Sequence, residues 1–385
     1  MKIAEVKKVL FVGELRFTSR NGYFSRQEQL IRQLSKIGDL DIINLGDSAL
    51  DTKNWLAGEG LKARVASGWL ITILRCLFRL WYNGNTIFCN KLRIYKYWKF
   101  FPRFRISVFS NCSYSHCIYY YIWPTQMVDV KNIVDQKYVD LGDIMGDRHK
   151  RIGVRRWISI NPLIEKSIIQ SKIFKAIAIT PNDSDECLTL YGKRVPVLPY
   201  CSHLPTTETN DVNNTNIGYI GAKNNFSDDL VNLLLTGCLI EHLAAKKIMV
   251  TLAGGFCSHL SEQQSHDLIK RGVKIMGKVS SVSDFYKQVS VVLNLTGPST
   301  GAKIKSIEAL CYGKSLVATE YGADLFTRNY FRDRIFSAMW PLREEQLTQV
   351  IIEAFSKQKH INLKEAPEGY LNAVDNHFID IFSKE

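Results

Sequence analysis

Between Gly60 and Val128 the chain contains no aspartate and no glutamate. Its nine cysteines are odd in number, and no two stand in a CxxC pair. That spacing argues against a disulfide framework and a zinc site, and it suits a reducing compartment. Internal repeats at solenoid periods and low-complexity tracts are also missing, which excludes an array or a disordered chain. Met1–Val6 is polar and leads straight into an apolar run, without the hydrophobic core of a secretory leader. The most hydrophobic stretch, Trp69–Trp81, is interrupted by Arg75 and Arg79, which argues against a spanning helix. The sequence therefore reads as that of a cytoplasmic protein.

What is abundant is positive charge, with a net value of +13. The acid-free stretch alone carries ten bases, Lys62, Arg64, Arg75, Arg79, Lys91, Arg93, Lys96, Lys99, Arg103 and Arg105. The excess is thus regional and bears on a partner more than on the fold. Within Trp69–Arg105 the bases alternate with rings, among them Trp69, Phe78, Trp81, Tyr95, Trp98 and Phe104. Such a belt suits an anionic membrane surface or a nucleic acid. The plainer reading makes half of the rings core and the lysines merely solvated.

The length of 385 residues is enough for two or three domains. Lys8–Leu15 is a short apolar run, as in a buried strand of a parallel sheet. A polar loop with Gly22 follows, then a helical spacing over Ser25–Ile37 and a second strand, Leu40–Leu45. Strand, loop, helix, strand opens a doubly wound α/β domain. Strands are expected at Ser115–Trp123, Lys137–Leu141, Ala176–Thr180 and Val195–Leu198, with helices at Leu163–Phe174 and Ser184–Tyr191. The polar stretch Cys201–Asn216 reads as a linker. The pattern then restarts, with strands at Ile217–Ile220, Ile248–Ala253, Val273–Met276, Val291–Leu295 and Ser315–Thr319. Helices are expected at Asp228–Ile240, Lys303–Tyr312, Glu344–Ser356 and Tyr370–Phe382. The expected organisation is a Rossmann-like domain over residues 1–200, a linker over 201–216, a second such domain over 217–368 and a final helix over 369–385.

Val291–Gly322 carries the chemistry. A buried strand enters a loop with Gly297, Ser299, Thr300 and Gly301, and a helix begins near Ala302. The first turn of a helix offers backbone N–H groups and a positive dipole end to an anion. Lys303 and Lys305 lie beside that turn, where cations oppose the dipole unless an anion pairs with them. Glu308 can accept two hydrogen bonds from a vicinal diol such as a ribose.

This segment resembles the donor-binding signature of GT-B-fold glycosyltransferases of the large "group 1" retaining family. Gly301, Lys305, Glu308–Ala309, Gly313, Leu316–Thr319 and Gly322 stand at the spacing of that signature. Ile217–Asn225, with Gly221 and Lys223, looks like the opening strand and glycine loop of the family's donor domain. Val250–Gly255 looks like its next strand. Ile275–Ser280, with Gly277 and Val279, looks like the strand whose following backbone reads the base. Gly22 with Tyr23 resembles the phosphate-side loop of the first domain. The resemblance implies two facing Rossmann-like domains with a ligand cleft between them, and a last helix that crosses back onto the first domain. Its donor would be a nucleotide-diphosphate sugar such as a UDP- or GDP-sugar, with Lys305 on the diphosphate and Glu308 on the ribose. No metal is expected, and no cofactor beyond the co-substrate. His116, His149 and His203 form no cluster and read as structural.

The family often carries a glutamate eight residues before Glu308, at the donor sugar; here Thr300 stands there. The nucleotide is therefore better specified than the sugar or the stereochemistry, although retention is the family expectation. Asp140 and Asp143, at the end of an expected strand, are candidates to contact the donor sugar or the acceptor hydroxyl. They serve equally well as turn formers or helix caps. Family members that use lipid-linked acceptors favour a membrane rather than nucleic acid as the partner of the basic belt. The implied activity is transfer to a glycan or lipid-linked acceptor in surface polysaccharide synthesis, at the inner face of the membrane. Two other readings stay open. One is a sugar-nucleotide epimerase on the same fold, which needs acid/base groups of which no clear set is visible. The other is a non-enzymatic basic protein that binds nucleic acid or an anionic glycan.

Overall fold

The computed structural model describes residues 7–17, 22–77, 104–106, 113–130, 133–144, 161–201, 215–222, 225–298, 301–358 and 365–382. The chain divides into two compact units, one of residues 1–200 with 374–385 and one of residues 201–373.

In the first unit, β1 (Lys8–Gly13), β2 (Asp39–Asn44) and β3 (Arg64–Val65) share a sheet with later strands. A short β4 (Phe104–Ile106) pairs instead with β6 (Val128–Val130), outside the main sheet. With β5 (Tyr114–Tyr120), β7 (Ile133–Asp140) and β8 (Phe174–Ile177), the main sheet runs β3-β2-β1-β5-β7-β8, every pairing parallel. The apolar runs arise because these strands are covered on both faces: Val9–Val12, Ile42, Ile43 and Ile118 are all fully buried. Helix Gly22–Ile37 faces that core with Leu30, Ile31 and Leu34. The final helix, Glu365–Phe382, closes the unit with its last turns. Phe382 lies 4.6 Å from the Tyr138 ring, and Asp375 accepts hydrogen bonds from Gln33 and Lys36 at 3.1 and 3.2 Å.

The second unit contains β9 (Asn216–Ile220), β10 (Met249–Ala253), β11 (Lys274–Gly277), β12 (Val291–Asn294), β13 (Ser315–Thr319) and β14 (Ile335–Ala338). Its order, β11-β10-β9-β12-β13-β14, is again all parallel. Numbered within each sheet, both orders read 3-2-1-4-5-6, the doubly wound Rossmann arrangement. Such a sheet reverses its winding between its first and fourth strands, here between β9 and β12. The crevice above that point is where ligands bind.

Two expectations need correction. The helix expected over Asp228–Ile240 is two helices, Asn225–Thr236 and Leu239–Ala245. The break lies at Gly237–Cys238, where the Cys238 N–H donates to Glu344 at 2.8 Å in place of a helical partner. The expected strand Val195–Leu198 makes only an isolated bridge, Ala178 to Val197. Pro196 has no N–H to continue a ladder. The short β3, β4, β6 and β14 were not expected; they have too few residues for a period to show.

Candidate functional site

The carboxyl ends of β9, β10 and β11 are tied together by glycines. The Gly221 N–H donates to Ala253 O at 3.0 Å, and the Gly254 N–H to Gly277 O at 2.7 Å. A Cβ on Gly254 would stand 2.3 Å from Gly221 O, and its φ of +104° is open only to glycine. Val279 follows β11, half-buried, two residues past Gly277.

The signature helix runs over Ile304–Cys311, one residue shorter at each end than the expected Lys303–Tyr312. Lys303 is its N-cap, without a side-chain cap, and its ammonium donates to Gly301 O at 3.0 Å. The helix is locked to the sheet by a buried polar cluster. Asn294, the last residue of β12, donates to Ser306 Oγ at 2.7 Å and to Gly322 O at 3.1 Å; the Ser306 hydroxyl donates to the same carbonyl. A Cβ on Gly322 would lie 2.3 Å from Asn294 O, so that close approach requires glycine.

Lys305 and Glu308 are three residues apart and share one helix face. Both are half-buried. Lys305 Nζ lies 5.0 Å from the ring centroid of Tyr219, and a Cβ on Gly221 would stand 2.5 Å from it. Glu308 accepts a long hydrogen bond, 3.4 Å, from Tyr286, whose ring stacks on Tyr312 at 4.4 Å. Burial lowers the Lys305 ammonium to about 8, against a smaller upward pull from Glu308. Burial raises Glu308 to about 7, against the Tyr286 hydrogen bond and Lys305. A cation and a carboxylate held in this way, with their charged forms disfavoured, lose part of that penalty when a ligand supplies the missing partners. Lys305, Glu308, Gly221, Gly277 and Val279 therefore all belong to the second unit, near the switch point of its sheet. Thr300 and Lys223 lie outside the described residues.

In the first unit the two candidate carboxylates differ. Asp140, at the tip of β7, is 0% exposed. One oxygen accepts from Arg26 and the other from the Gly142 N–H at 3.1 Å. Asp143 is half-exposed, on a turn in which Gly142 has φ +66° and the Asp143 N–H donates to Leu141 O at 2.7 Å. Gly22 begins the helix Gly22–Ile37. Tyr23, next to it, packs edge-on against Tyr120 and Tyr121 at 5.9 Å. His116 is buried, with Nδ1 2.9 Å from Ser115 Oγ and its ring stacked on Tyr138. His149 and His203 lie outside the described residues. Among the described residues no cluster of His, Cys, Asp or Glu could hold a metal ion, and no helix is long and apolar enough to cross a membrane. Of the basic belt, only 69–77 and 104–106 are described. Residues 69–77 are helical, with Ile71 and Leu74 buried and Trp69, Leu70 and Ile73 turned outward, Trp69 at 76% exposure.

Tyr219, Tyr286, Asn294 and Arg26 were not singled out from the sequence. Tyr219 stands two residues before Gly221 and so shares a strand face with Ile217, the one signal that placed it near the loop.

Residues 214–331 match the family model described as "Glycosyl transferases group 1". A comparison with curated protein sequences finds no match. Solved structures share the architecture over nearly the whole chain. HepE of Anabaena in complex with UDP is 13% identical and covers 98% of this chain and 99% of its own, with a TM-score of 0.57. WaaG, a glycosyltransferase involved in lipopolysaccharide biosynthesis, is 12% identical and covers 96% and 99%, with a TM-score of 0.55. A variant of S. aureus TarM in complex with Fondaparinux, alpha-GlcNAc-glycerol and UDP is 10% identical and covers 98% and 100%, with a TM-score of 0.62. The family match falls on the unit that carries Lys305 and Glu308, and the doubled Rossmann-like fold is shared with these solved structures over nearly the whole chain.

Proposed function

We propose that the chain transfers a sugar from a nucleotide-diphosphate-sugar donor to a glycan or lipid-linked acceptor in surface polysaccharide synthesis, with retention. The observation that carries this reading is Lys305. Its ammonium rests at the switch point of a Rossmann-like sheet, and among the described residues it has no hydrogen-bond or ion-pair partner. A diphosphate supplies that partner. Glu308, on the same helix face, receives the ribose hydroxyls. Lys305 and the N–H groups at the start of helix Ile304–Cys311 stabilise the charge that develops on the leaving diphosphate, a preorganised electrostatic role that needs no metal. Gly221, Lys223, Gly277 and Val279 border the nucleotide, with Thr300, Gly301 and Lys303 in the loop before the helix. Gly22 is the residue of the first unit that we propose for a phosphate-side loop. HepE and TarM in complex with UDP support a uridine nucleotide as the first donor to try.

Of the two aspartates, Asp143 is the one we place at the donor sugar or the acceptor hydroxyl, because both oxygens of Asp140 are occupied within the protein. The outward face of residues 69–77 and the cations of the acid-free stretch hold the enzyme against the anionic inner face of the membrane. WaaG, involved in lipopolysaccharide biosynthesis, supports a surface-glycan setting.

Thermal unfolding with UDP-, GDP-, ADP- and CMP-sugars tests the donor. A bound nucleotide stabilises by RT ln(1 + [L]/Kd), about 2.7 kcal/mol at a hundredfold excess over Kd. A shift with one class identifies the base, whereas no shift with any of them overturns the reading. Flotation with phosphatidylglycerol vesicles tests the membrane face, and absence of binding at low salt rejects it.

A further inference from the structure

Tyr219 lies at the penultimate position of β9, buried at 4% exposure, two residues before the Gly221 loop. Its ring is braced from the side by Phe256, with centroids 5.2 Å apart and planes at 72°. Lys305 Nζ sits over the ring at 5.0 Å. The ammonium has three donors, yet among the described residues no hydrogen bond or ion pair reaches it. The π-face of Tyr219 is thus the contact that holds this cation, beside the longer-range pull of Glu308. The space beside it is shaped by the neighbouring residue. A Cβ on Gly221 would meet Lys305 Nζ at 2.5 Å and the Tyr219 hydroxyl oxygen at 2.9 Å. A long flexible lysine that swung freely would give up rotamer entropy on every binding event. Parked on a ring, which is a weak partner, it keeps its N–H groups available for a stronger acceptor.

We propose that Tyr219 is a positioning residue for Lys305: its ring face, with the gap left by Gly221, holds the ammonium where the donor diphosphate arrives and releases its N–H groups to the phosphate oxygens. This rests on the reading of Lys305 as the diphosphate contact. A base-stacking platform would engage the nucleoside; Tyr219 acts on the phosphate end, through Lys305.

The test is a double-mutant cycle read by calorimetric titration with UDP and with uridine, using Tyr219→Leu, Tyr219→Phe, Lys305→Met and the Tyr219→Leu/Lys305→Met pair. Tyr219→Leu weakens UDP about three- to tenfold and leaves uridine unchanged; Tyr219→Phe, which keeps the ring, stays within about twofold of wild type. In the Lys305→Met background the Tyr219→Leu effect disappears. An equal loss with and without Lys305, or a loss shared by uridine, overturns the proposal. If Tyr219→Leu does not fold, Tyr219→Met replaces it in the same cycle, because it keeps a long apolar side chain without a π-face. A ligand-free arm labels lysines with acetic anhydride near neutral pH, read by mass spectrometry. Loss of the ring favours the neutral amine, so Lys305 labels about two- to fivefold faster in Tyr219→Leu and unchanged in Tyr219→Phe. Equal labelling in all three overturns the proposal. Failure of wild type to bind any nucleotide, with the labelling difference intact, instead rejects the donor reading and keeps the Tyr219–Lys305 pairing.

Discussion

Arg26 and Asp140 form a fully buried ion pair, 1% and 0% exposed, in which the guanidinium Nη2 and Nε donate to one carboxylate oxygen at 2.6 and 3.1 Å. The same guanidinium donates to Leu198 O at 2.8 Å and Pro199 O at 3.1 Å. It therefore joins helix Gly22–Ile37 and the tip of β7 to the last residues of the first unit before residue 201. Through the second oxygen of Asp140 it also reaches Gly142, one residue before Asp143. Removing one member of such a pair leaves a buried charge uncompensated, which destabilises by about 3–5 kcal/mol. Asp140→Asn should show that loss in denaturant unfolding of the first unit. Asp143→Asn should stay within about 0.5 kcal/mol of wild type, yet lose turnover by about a hundredfold or more in a donor-consumption assay. The reverse pattern would assign the chemistry to Asp140.

The roles proposed for Lys305 and Glu308 are separable by the part of the ligand each would read. Lys305→Met should weaken a nucleoside diphosphate by about 1.5–3 kcal/mol and leave the nucleoside nearly unaffected. Glu308→Gln should abolish the preference for ribose over 2′-deoxyribose nucleotides, measured as the ratio of dissociation constants. An undiminished preference would remove Glu308 from the ribose.

The pH dependence follows from the two displaced groups. Lys305 is lowered to about 8, so its penalty on the ligand-free fold is complete below that pH. That penalty is relieved as pH rises towards the unfolded lysine value of about 10.4. Glu308 is raised to about 7, so its penalty is absent in acid and complete above that pH. The wild type should therefore lose stability relative to a Lys305→Met/Glu308→Gln variant as pH approaches the window between about 7 and 8, and regain it on either side. Diphosphate binding favours the charged lysine, and ribose binding the charged carboxylate. Titrations in two buffers of different ionisation enthalpy should show proton uptake above about pH 8 and proton release below about pH 7. Binding that is independent of the buffer would contradict this.

Much of this was legible in the sequence, for definite reasons. Val9–Val12, Ile42–Ile43 and Leu316–Ala318 are strands buried on both faces, and such strands write uninterrupted apolar runs. The helix around Lys305 and Glu308 was legible because its apolar residues recur at helical spacing and Gly313 ends it. Two-residue β3 and four-residue β14 were not legible, because their register comes from neighbours supplied by the sheet. Nor was the difference between Asp140 and Asp143. It depends on Arg26, 114 positions away in the chain, and no local pattern reports that contact. The pairing of Tyr219 with Lys305 stayed hidden for the same reason.

The polar cluster under the signature helix gives the last prediction. Asn294, Ser306 and Gly322 come from the end of β12, from the helix and from the loop after β13, and all their recorded contacts with one another are buried. Ser306→Ala removes both bonds of the hydroxyl and leaves the Asn294 amide with Gly322 O. The expected loss is about 1–3 kcal/mol, read by denaturant unfolding. Ser306 lies one residue past Lys305 and two before Glu308, and its side chain sets how the helix is seated on the sheet. A tilt of that helix moves Lys305 and Glu308 together, so under the proposed roles donor affinity should fall several-fold for UDP and in similar proportion for uridine. Gly322→Ala, which forces a Cβ to 2.3 Å from Asn294 O, should show the same pattern more strongly. A loss of stability with donor affinity fully retained would mean that the cluster supports the fold without placing the helix.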